Sequence, residues 1–161
     1  MTRVMKLPLL ALIAGLALLA GCNKESADSS ADARPPIAMP TTQDDGAWRQ
    51  YVGQMVSRHV KIKRGVPPFA VYISPDEDPA PTIANANQTL QRGVIKDTIV
   101  AFGSRDSALM ASKMSEVFAD VPENRLKGAR VVFVGKSEDR AVAEASIGTT
   151  GAEFIFLEFG S

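Results

Sequence analysis

The sequence is poor in the side chains that most often carry catalysis or covalent cross-links. Among its 161 residues it has one cysteine, Cys22, and one histidine, His59. A single cysteine excludes an intramolecular disulfide. The sequence places no nucleophile or orienting acid beside His59, so we expect a packed or boundary histidine and not a catalytic one.

A block of basic charge is also absent. Lysine and arginine together number 18, and so do aspartate and glutamate. Proteins that bind nucleic acid or anionic lipid through charge usually concentrate their cations in one stretch. We therefore predict no nucleic-acid partner.

The apolar run near the start of the chain is too short for a permanent transmembrane helix. It extends from Leu9 to Ala20, whereas a helix that spans a bilayer needs about 20 apolar residues. Arg3 and Lys6 precede it, and a charged segment followed by a short apolar run and small residues is typical of a secretory signal. We predict that residues 1–21 are this signal.

The end of this segment, Leu19-Ala20-Gly21-Cys22, resembles the lipobox of bacterial lipoproteins. The resemblance implies that Cys22 becomes the lipidated first residue of the mature chain and anchors it to a membrane. In this family an aspartate after the cysteine often marks retention at the inner membrane. Since Asn23 stands there, the resemblance implies the periplasmic face of the outer membrane. An ordinary secretory signal with a stray cysteine is the alternative.

Residues 22–44 lack the apolar periodicity of a folded segment. After Cys22 they read NKESADSSADARPPIAMPTTQD, in which serine, alanine, aspartate and proline dominate. Such a composition buries too little apolar surface to offset the entropy lost on ordering. We predict a disordered tether over 22–44 and one α/β domain over 45–161, a length that suits a single small core.

The domain begins with an amphipathic helix. Asp44 or Asp45 can serve as its N-cap, and apolar residues then recur at the spacing of one helical face. They are Trp48, Tyr51, Val52, Met55, Val56 and Val60, with His59 on or beside the stripe. We expect this face to cover a sheet, and a partner-binding role for the stripe is the alternative.

Three β-branched and aromatic runs follow, and they begin about 30 residues apart, which is the length of a βαβ unit. They start at Phe69, Thr98 and Ala129, with helix-compatible segments after each, and a last run follows Gly151. The runs are apolar on both faces, which is typical of a parallel sheet covered on two sides. The predicted fold is α/β, with a small parallel or mostly parallel sheet and the order α-β-α-β-α-β-α-β along the chain.

The tripeptide Gly135-Lys136-Ser137 matches the end of a phosphate-binding P-loop, but the rest of the motif is missing. The first glycine of that motif would fall at Arg130. The intervening residues have the pattern of a strand, so no loop is available to wrap its backbone N–H groups around a phosphate. We predict no nucleotide and no cofactor, and we expect Ser137 to cap the next helix.

Acidic residues follow each of these three predicted strands. They are Asp76, Glu77 and Asp78 after the first, Asp106 after the second, and Glu138 and Asp139 after the third. The carboxyl ends of parallel strands share one edge of a sheet. We therefore take these residues as a candidate partner-binding surface that attracts a basic protein.

Two other interpretations of the acidic residues stay open. The simplest is that they are solvated loop residues and helix caps. The other is a site for a hard cation such as Mg²⁺ or Ca²⁺, which oxygen ligands suit. The sequence shows no spaced ligand motif such as an EF-hand loop, so we predict no metal.

Two hypotheses about function follow from these observations. The first is a non-enzymatic module that binds a protein in the periplasm. The layout of signal, tether and one compact domain resembles the immunity lipoproteins that bacteria use against antibacterial effectors, but it matches no motif and assigns no binding residue. The second is a small periplasmic hydrolase or metal-dependent enzyme that uses the acidic loops. Because the sequence lacks a nucleophile motif, we predict no catalytic residue and favour the first hypothesis.

Replacement of Cys22 tests the predicted anchor. In the Cys22→Ser protein we expect no incorporation of labelled fatty acid, and we expect the chain to move from the membrane fraction to the soluble periplasm. The measurements are metabolic lipid labelling and fractionation in high salt. A mutant that still sediments with membranes at the same mature size would contradict the lipobox.

Overall fold

A four-stranded parallel sheet forms the centre of the domain. The computed structural model describes residues 35–161, so the predicted signal, Cys22 and the first part of the predicted tether lie outside the described residues. The elements are α1 (Asp45–His59), β1 (Phe69–Tyr72), α2 (Ala80–Arg92), β2 (Ile99–Gly103), α3 (Ser107–Phe118), β3 (Arg130–Gly135), a 3-10 turn (Ser137–Asp139), α4 (Arg140–Ser146) and β4 (Glu153–Glu158). This confirms the predicted α/β class and the alternation of helices and strands.

The strands lie side by side in the order in which they occur along the chain. β1 pairs with β2, β2 with β3 and β3 with β4, and every pair is parallel. Right-handed crossovers between successive neighbours place their helices on the same face of a sheet. Residues of α2, α3 and α4 accordingly form one core with one face of the strands, and residues of α1 form a second core with the other.

The first helix begins and packs as its pattern predicts. The Asp44 carboxylate accepts a hydrogen bond from the Ala47 N–H at 2.7 Å and caps the helix. The apolar stripe is buried from Trp48 to Val60. His59 differs from expectation, because it is exposed in the last helical turn. The stripe therefore covers the sheet and contributes to the core.

Residues 35–44, which we call the strap, lie along α1 although the sequence assigns them to the tether. Ile37 is buried with the core of α1. Arg58 donates to the Pro35 carbonyl at 2.6 Å, and the Trp48 Nε1–H donates to the Thr42 carbonyl at 2.9 Å. Residues 35–44 therefore pack with the domain, whose predicted start is residue 45.

None of the helices within residues 35–161 is long and apolar enough to cross a membrane.

Shortening Trp48 tests the packing of the strap and α1. The side chain is 8 % exposed and contacts the rings of Tyr51 and Phe159. Because truncating a buried tryptophan leaves a cavity, we expect Trp48→Ala to lower the free energy of unfolding by about 3–5 kcal/mol. Chemical denaturation measures this loss.

Trp48→Phe is the matched control for that experiment. It keeps an aromatic ring in the core and removes the indole donor to Thr42, so we expect a clearly smaller loss. Equal losses in the two variants would show that the ring is not the packed group.

Candidate functional site

The three acidic loops meet at the carboxyl edge of the sheet. They follow β1, β2 and β3, which are adjacent and parallel. The start of α1 lies at the same edge, since the Tyr72 hydroxyl at the end of β1 donates to the Asp45 carboxylate at 2.8 Å. We call this surface the acidic edge: the predicted residues of the three loops together with Asp44 and Asp45.

Arg105 lies at the centre of the acidic edge and joins its parts. Its Nη1 donates to the Gln43 carbonyl at 2.8 Å and to Asp45 Oδ1 at 3.0 Å, and its Nη2 donates to Asp76 Oδ2 at 2.5 Å. The Arg105 side chain is only 11 % exposed. The guanidinium therefore holds the strap, α1 and the loop after β1 together, and its charge is matched by carboxylates of the chain itself.

Asp45 is the carboxylate most tightly held in this network. Partial burial raises its pKa, but hydrogen bonds from Ser74 and Tyr72 and the positive charge of Arg105 outweigh burial, so the pKa lies below its ordinary value. Burial and the bond to Asp45 raise the pKa of the Tyr72 phenol. Asp45 is therefore held as an anion and Tyr72 as a neutral donor.

Four of the predicted site residues have local partners. Asp76 pairs with Arg105, and Glu138 lies 3.7 Å from the Lys136 ammonium. Asp78 accepts from the Ala80 N–H at 3.0 Å at the start of α2, and Asp106 accepts from the Leu109 N–H at 3.0 Å as the N-cap of α3. Helix capping therefore accounts for Asp106, as one of the alternatives supposed, and Asp78 bonds to the first residue of α2, whose N-cap is Pro79.

The other two predicted residues differ from each other. Glu77 is exposed. Asp139 is partly buried, and its Oδ2 has no hydrogen-bond partner among residues 35–161. Neither residue joins a ligand set, because no group of three or more histidine, cysteine or acidic residues in the described chain could hold a metal ion.

Two serines explain why a small polar residue and then an acid recur after the strands. Ser74 Oγ accepts from the Asp76 N–H at 3.2 Å, and Ser104 Oγ accepts from the Asp106 N–H at 3.0 Å. Each hydroxyl bonds to the backbone two residues further on, which is the geometry of a serine turn. Both serines are buried, so they shape the loops and are unavailable as nucleophiles.

The tripeptide that matches a P-loop has a packing role. Gly135 ends β3, and a Cβ there would lie 2.5 Å from both the Phe133 ring and Ser107 Oγ. The Lys136 N–H donates to Ser107 Oγ at 2.8 Å. Glycine is required at this position because β3 and the start of α3 approach each other closely. The prediction that the residues before it form a strand is confirmed. The prediction that Ser137 caps the next helix is wrong, because Ser137 lies within a short 3-10 turn and makes no capping bond.

A cleft of about 520 Å³ opens at the carboxyl edge between the strap and the start of α3. Thr42, Trp48, Arg105, Ser107 and Lys136 are among its lining residues. Ser107 is buried, and its hydroxyl is bonded to the Lys136 backbone. His59 lies at the far end of α1 from this edge. Within the described chain, Ser107 and His59 therefore do not pair as nucleophile and base in this cleft.

Comparison of the chain with protein-family models, with curated proteins and with solved structures gives no match in any of the three. Inferences about function therefore rest on the residues themselves.

Acid unfolding of variants tests the coupling between Asp45 and Tyr72. The native state protonates Asp45 at a lower pH than the unfolded chain does, so its stabilising effect is complete well above pH 4 and is lost as the pH falls below about 4. At pH 7 we expect Asp45→Asn to cost about 1.5–3 kcal/mol, the range of a hydrogen bond to a charged group. Denaturation at pH 7 and pH 3 measures both effects.

Tyr72→Phe completes a double-mutant cycle for this pair. It removes the hydroxyl that donates to Asp45 and keeps the ring. We expect the combined loss in Asp45→Asn/Tyr72→Phe to be smaller than the sum of the two single losses, and the cost of Asp45→Asn to shrink at pH 3. Additive losses that do not change with pH would contradict the coupling.

Proposed function

We propose that this protein is a lipid-anchored lipoprotein of the outer membrane, and that its α/β domain is a non-enzymatic module that binds a basic protein in the periplasm. The narrower form of the proposal is an immunity protein that neutralises an effector delivered into that compartment. The observation that carries the binding role is the acidic edge. Its carboxylates come from three loops and from the start of α1, and they outnumber Arg105 and Lys136 among them.

The exposure of the outer carboxylates supports this role. The side chains of Asp76 and Glu138 are 70 % and 73 % exposed, and Glu77 and Asp78 are exposed as well. Charges on one exposed surface sum to a field that attracts an oppositely charged protein before contact. The structural bonds of Asp76, Asp78 and Asp106 hold the loops in place, so a partner meets a surface that is already ordered and loses little entropy on binding.

The chemistry of the edge favours binding over catalysis. Arg105 is occupied by Asp45 and Asp76, and the buried serines Ser74, Ser104 and Ser107 are bonded to the backbone. A hydrolase would need an activated nucleophile or a bound metal. We therefore assign no catalytic role to any residue here.

The membrane attachment rests on Leu19-Ala20-Gly21-Cys22 and on the layout of the chain. The strap shortens the predicted tether, because contacts with α1 are made by residues between 35 and 44. Twelve positions, 23–34, lie between Cys22 and the strap. An anchored domain samples the volume close to the membrane, which suits interception of a protein that enters there.

The binding role is tested by neutralising two carboxylates whose side chains make no hydrogen bond to the backbone. Glu77→Gln/Glu138→Gln removes two exposed charges from the acidic edge. The matched control is Asp120→Asn/Glu123→Gln, which removes two charges from the loop between α3 and β3 at the opposite edge. Asn tolerates the positive φ of 59° at residue 120. A partner is first captured from envelope extracts with the purified wild-type protein, and its binding to the three proteins is then timed.

We expect the edge variant to bind that partner with an association rate about threefold lower or more at low salt, while its dissociation rate changes little. The difference should vanish at about 0.5 M salt, where exposed charges are screened over less than about 5 Å. Equal association rates for the edge and control variants at low salt would overturn the role of the edge. If the captured partner is toxic and the wild-type protein inhibits it, the protein acts as an immunity protein and not only as a binding module.

A further inference from the structure

A groove between α1 and β1 lies outside the acidic edge and has a different chemistry. Its volume is about 260 Å³, and its lining is mostly apolar. Three small residues are part of its lining, Gly53 on α1 and Ala70 and Ala101 on the sheet. A Cβ at Gly53 would meet no atom within 4 Å. The space above Ala70 therefore has room for a side chain from outside the domain.

The open edge of β1 borders this groove. β1 pairs only with β2 in the described sheet. The Ile73 N–H points inward and donates to the Gly103 carbonyl. Since backbone groups alternate along a strand, the N–H and C=O groups of Ala70 and Tyr72 point to the open side. An extended segment can pair with these groups as an added strand.

A single cation stands in the wall of the groove. The Arg49 guanidinium lies 4.5 Å from the centre of the Tyr72 ring. No carboxylate within residues 35–161 forms an ion pair with Arg49. Stacking on Tyr72 holds the cation at one end of the groove, where an acidic group of a ligand can reach it.

The spacing of Gly53 and Arg49 matches the repeat of a strand. These residues are four apart on α1, which is about 6 Å along the helix. Side chains two apart on an extended chain point the same way and lie about 6.6 Å apart. One segment can therefore place an apolar side chain over Gly53 and a carboxylate near Arg49.

We propose that the outer edge of β1 binds an extended segment of a protein partner that carries an apolar residue and an acidic residue two positions apart. The segment pairs with the backbone of Ala70 and Tyr72, its apolar side chain fills the space at Gly53, and its carboxylate meets Arg49. Pro68 and Pro75 stand on either side of β1, and proline lacks a backbone donor, so the added strand is limited to a few residues. Tyr72 connects the site to the acidic edge through its bond to Asp45, but the site uses neither the carboxylates of that edge nor the membrane anchor.

The probes are two synthetic peptides, acetyl-Thr-Thr-Leu-Thr-Glu-Thr-amide and acetyl-Thr-Thr-Glu-Thr-Leu-Thr-amide. They present the same pattern in the two possible strand directions. Each is titrated into the isotopically labelled protein, and the amide signals are followed by NMR. We expect one of the two to give saturable shifts centred on Gly53, Ala70 and Tyr72. Replacing its leucine by alanine should weaken binding about tenfold, and replacing its glutamate by glutamine about threefold.

Gly53→Leu fills the groove and is the main variant. Because glycine is unfavourable inside a helix, this variant should unfold at a temperature no lower than the wild type, and binding should still fall about tenfold or more. Gly53→Ala should show a smaller loss. Asn85→Leu places the same leucine side chain at an exposed position on α2 and should bind like the wild type.

Arg49→Gln completes a cycle with the peptide that carries glutamine. The loss of affinity caused by Arg49→Gln and the loss caused by the glutamine peptide should not add, because both changes remove the same ion pair. The proposal is overturned if neither peptide gives saturable shifts, if Gly53→Leu binds as tightly as the wild type, or if the shifts lie elsewhere. Concentration-dependent self-association through β1, seen by sedimentation without peptide, would also overturn it. These outcomes leave the proposal for the acidic edge untouched, since neither Glu77 nor Glu138 is altered.

Discussion

The ion pair between Arg105 and Asp45 is the interaction on which the carboxyl edge of this domain depends. Arg105 belongs to the turn between β2 and α3, and its bonds reach the strap, α1 and the loop after β1. Tyr72 adds a second bond to the same carboxylate. A largely buried charge requires such partners, because leaving it unpaired costs several kcal/mol. The geometry of the loops is thus fixed from within the chain.

The strand order explains why the function proposed here is binding at a surface. In many parallel sheets a ligand enters the crevice where the strand order reverses. The described sheet runs β1-β2-β3-β4 without reversal, so no crevice opens between two of its strands. What the fold offers instead are loops along one edge and an unpaired strand beside α1. The loops present charged side chains to a large partner, and the unpaired strand presents backbone N–H and C=O groups.

The sequence was sufficient for the fold and insufficient for the site. The stripe from Trp48 to Val60 and the apolar runs have the periods of a helix and of buried strands, and these local patterns determine the class and the order of elements. Arg105 is 60 residues from Asp45 and 29 from Asp76, and no local pattern links such positions. The strap was missed for another reason. Its contacts are made by the Ile37 side chain and by several backbone carbonyls. Because every residue has a backbone carbonyl, such contacts leave no pattern in the sequence.

The direction of the strap has a mechanical consequence. Pro35 is bonded to Arg58 near the end of α1, and Thr42 is bonded to Trp48 near its start. A pull on the chain at Pro35, directed away from the start of α1, would load these bonds and the buried Ile37 together in shear. A force in another direction would break the contacts of the strap one after another. The attachment of the strap to α1 can therefore bear tension along the helix axis.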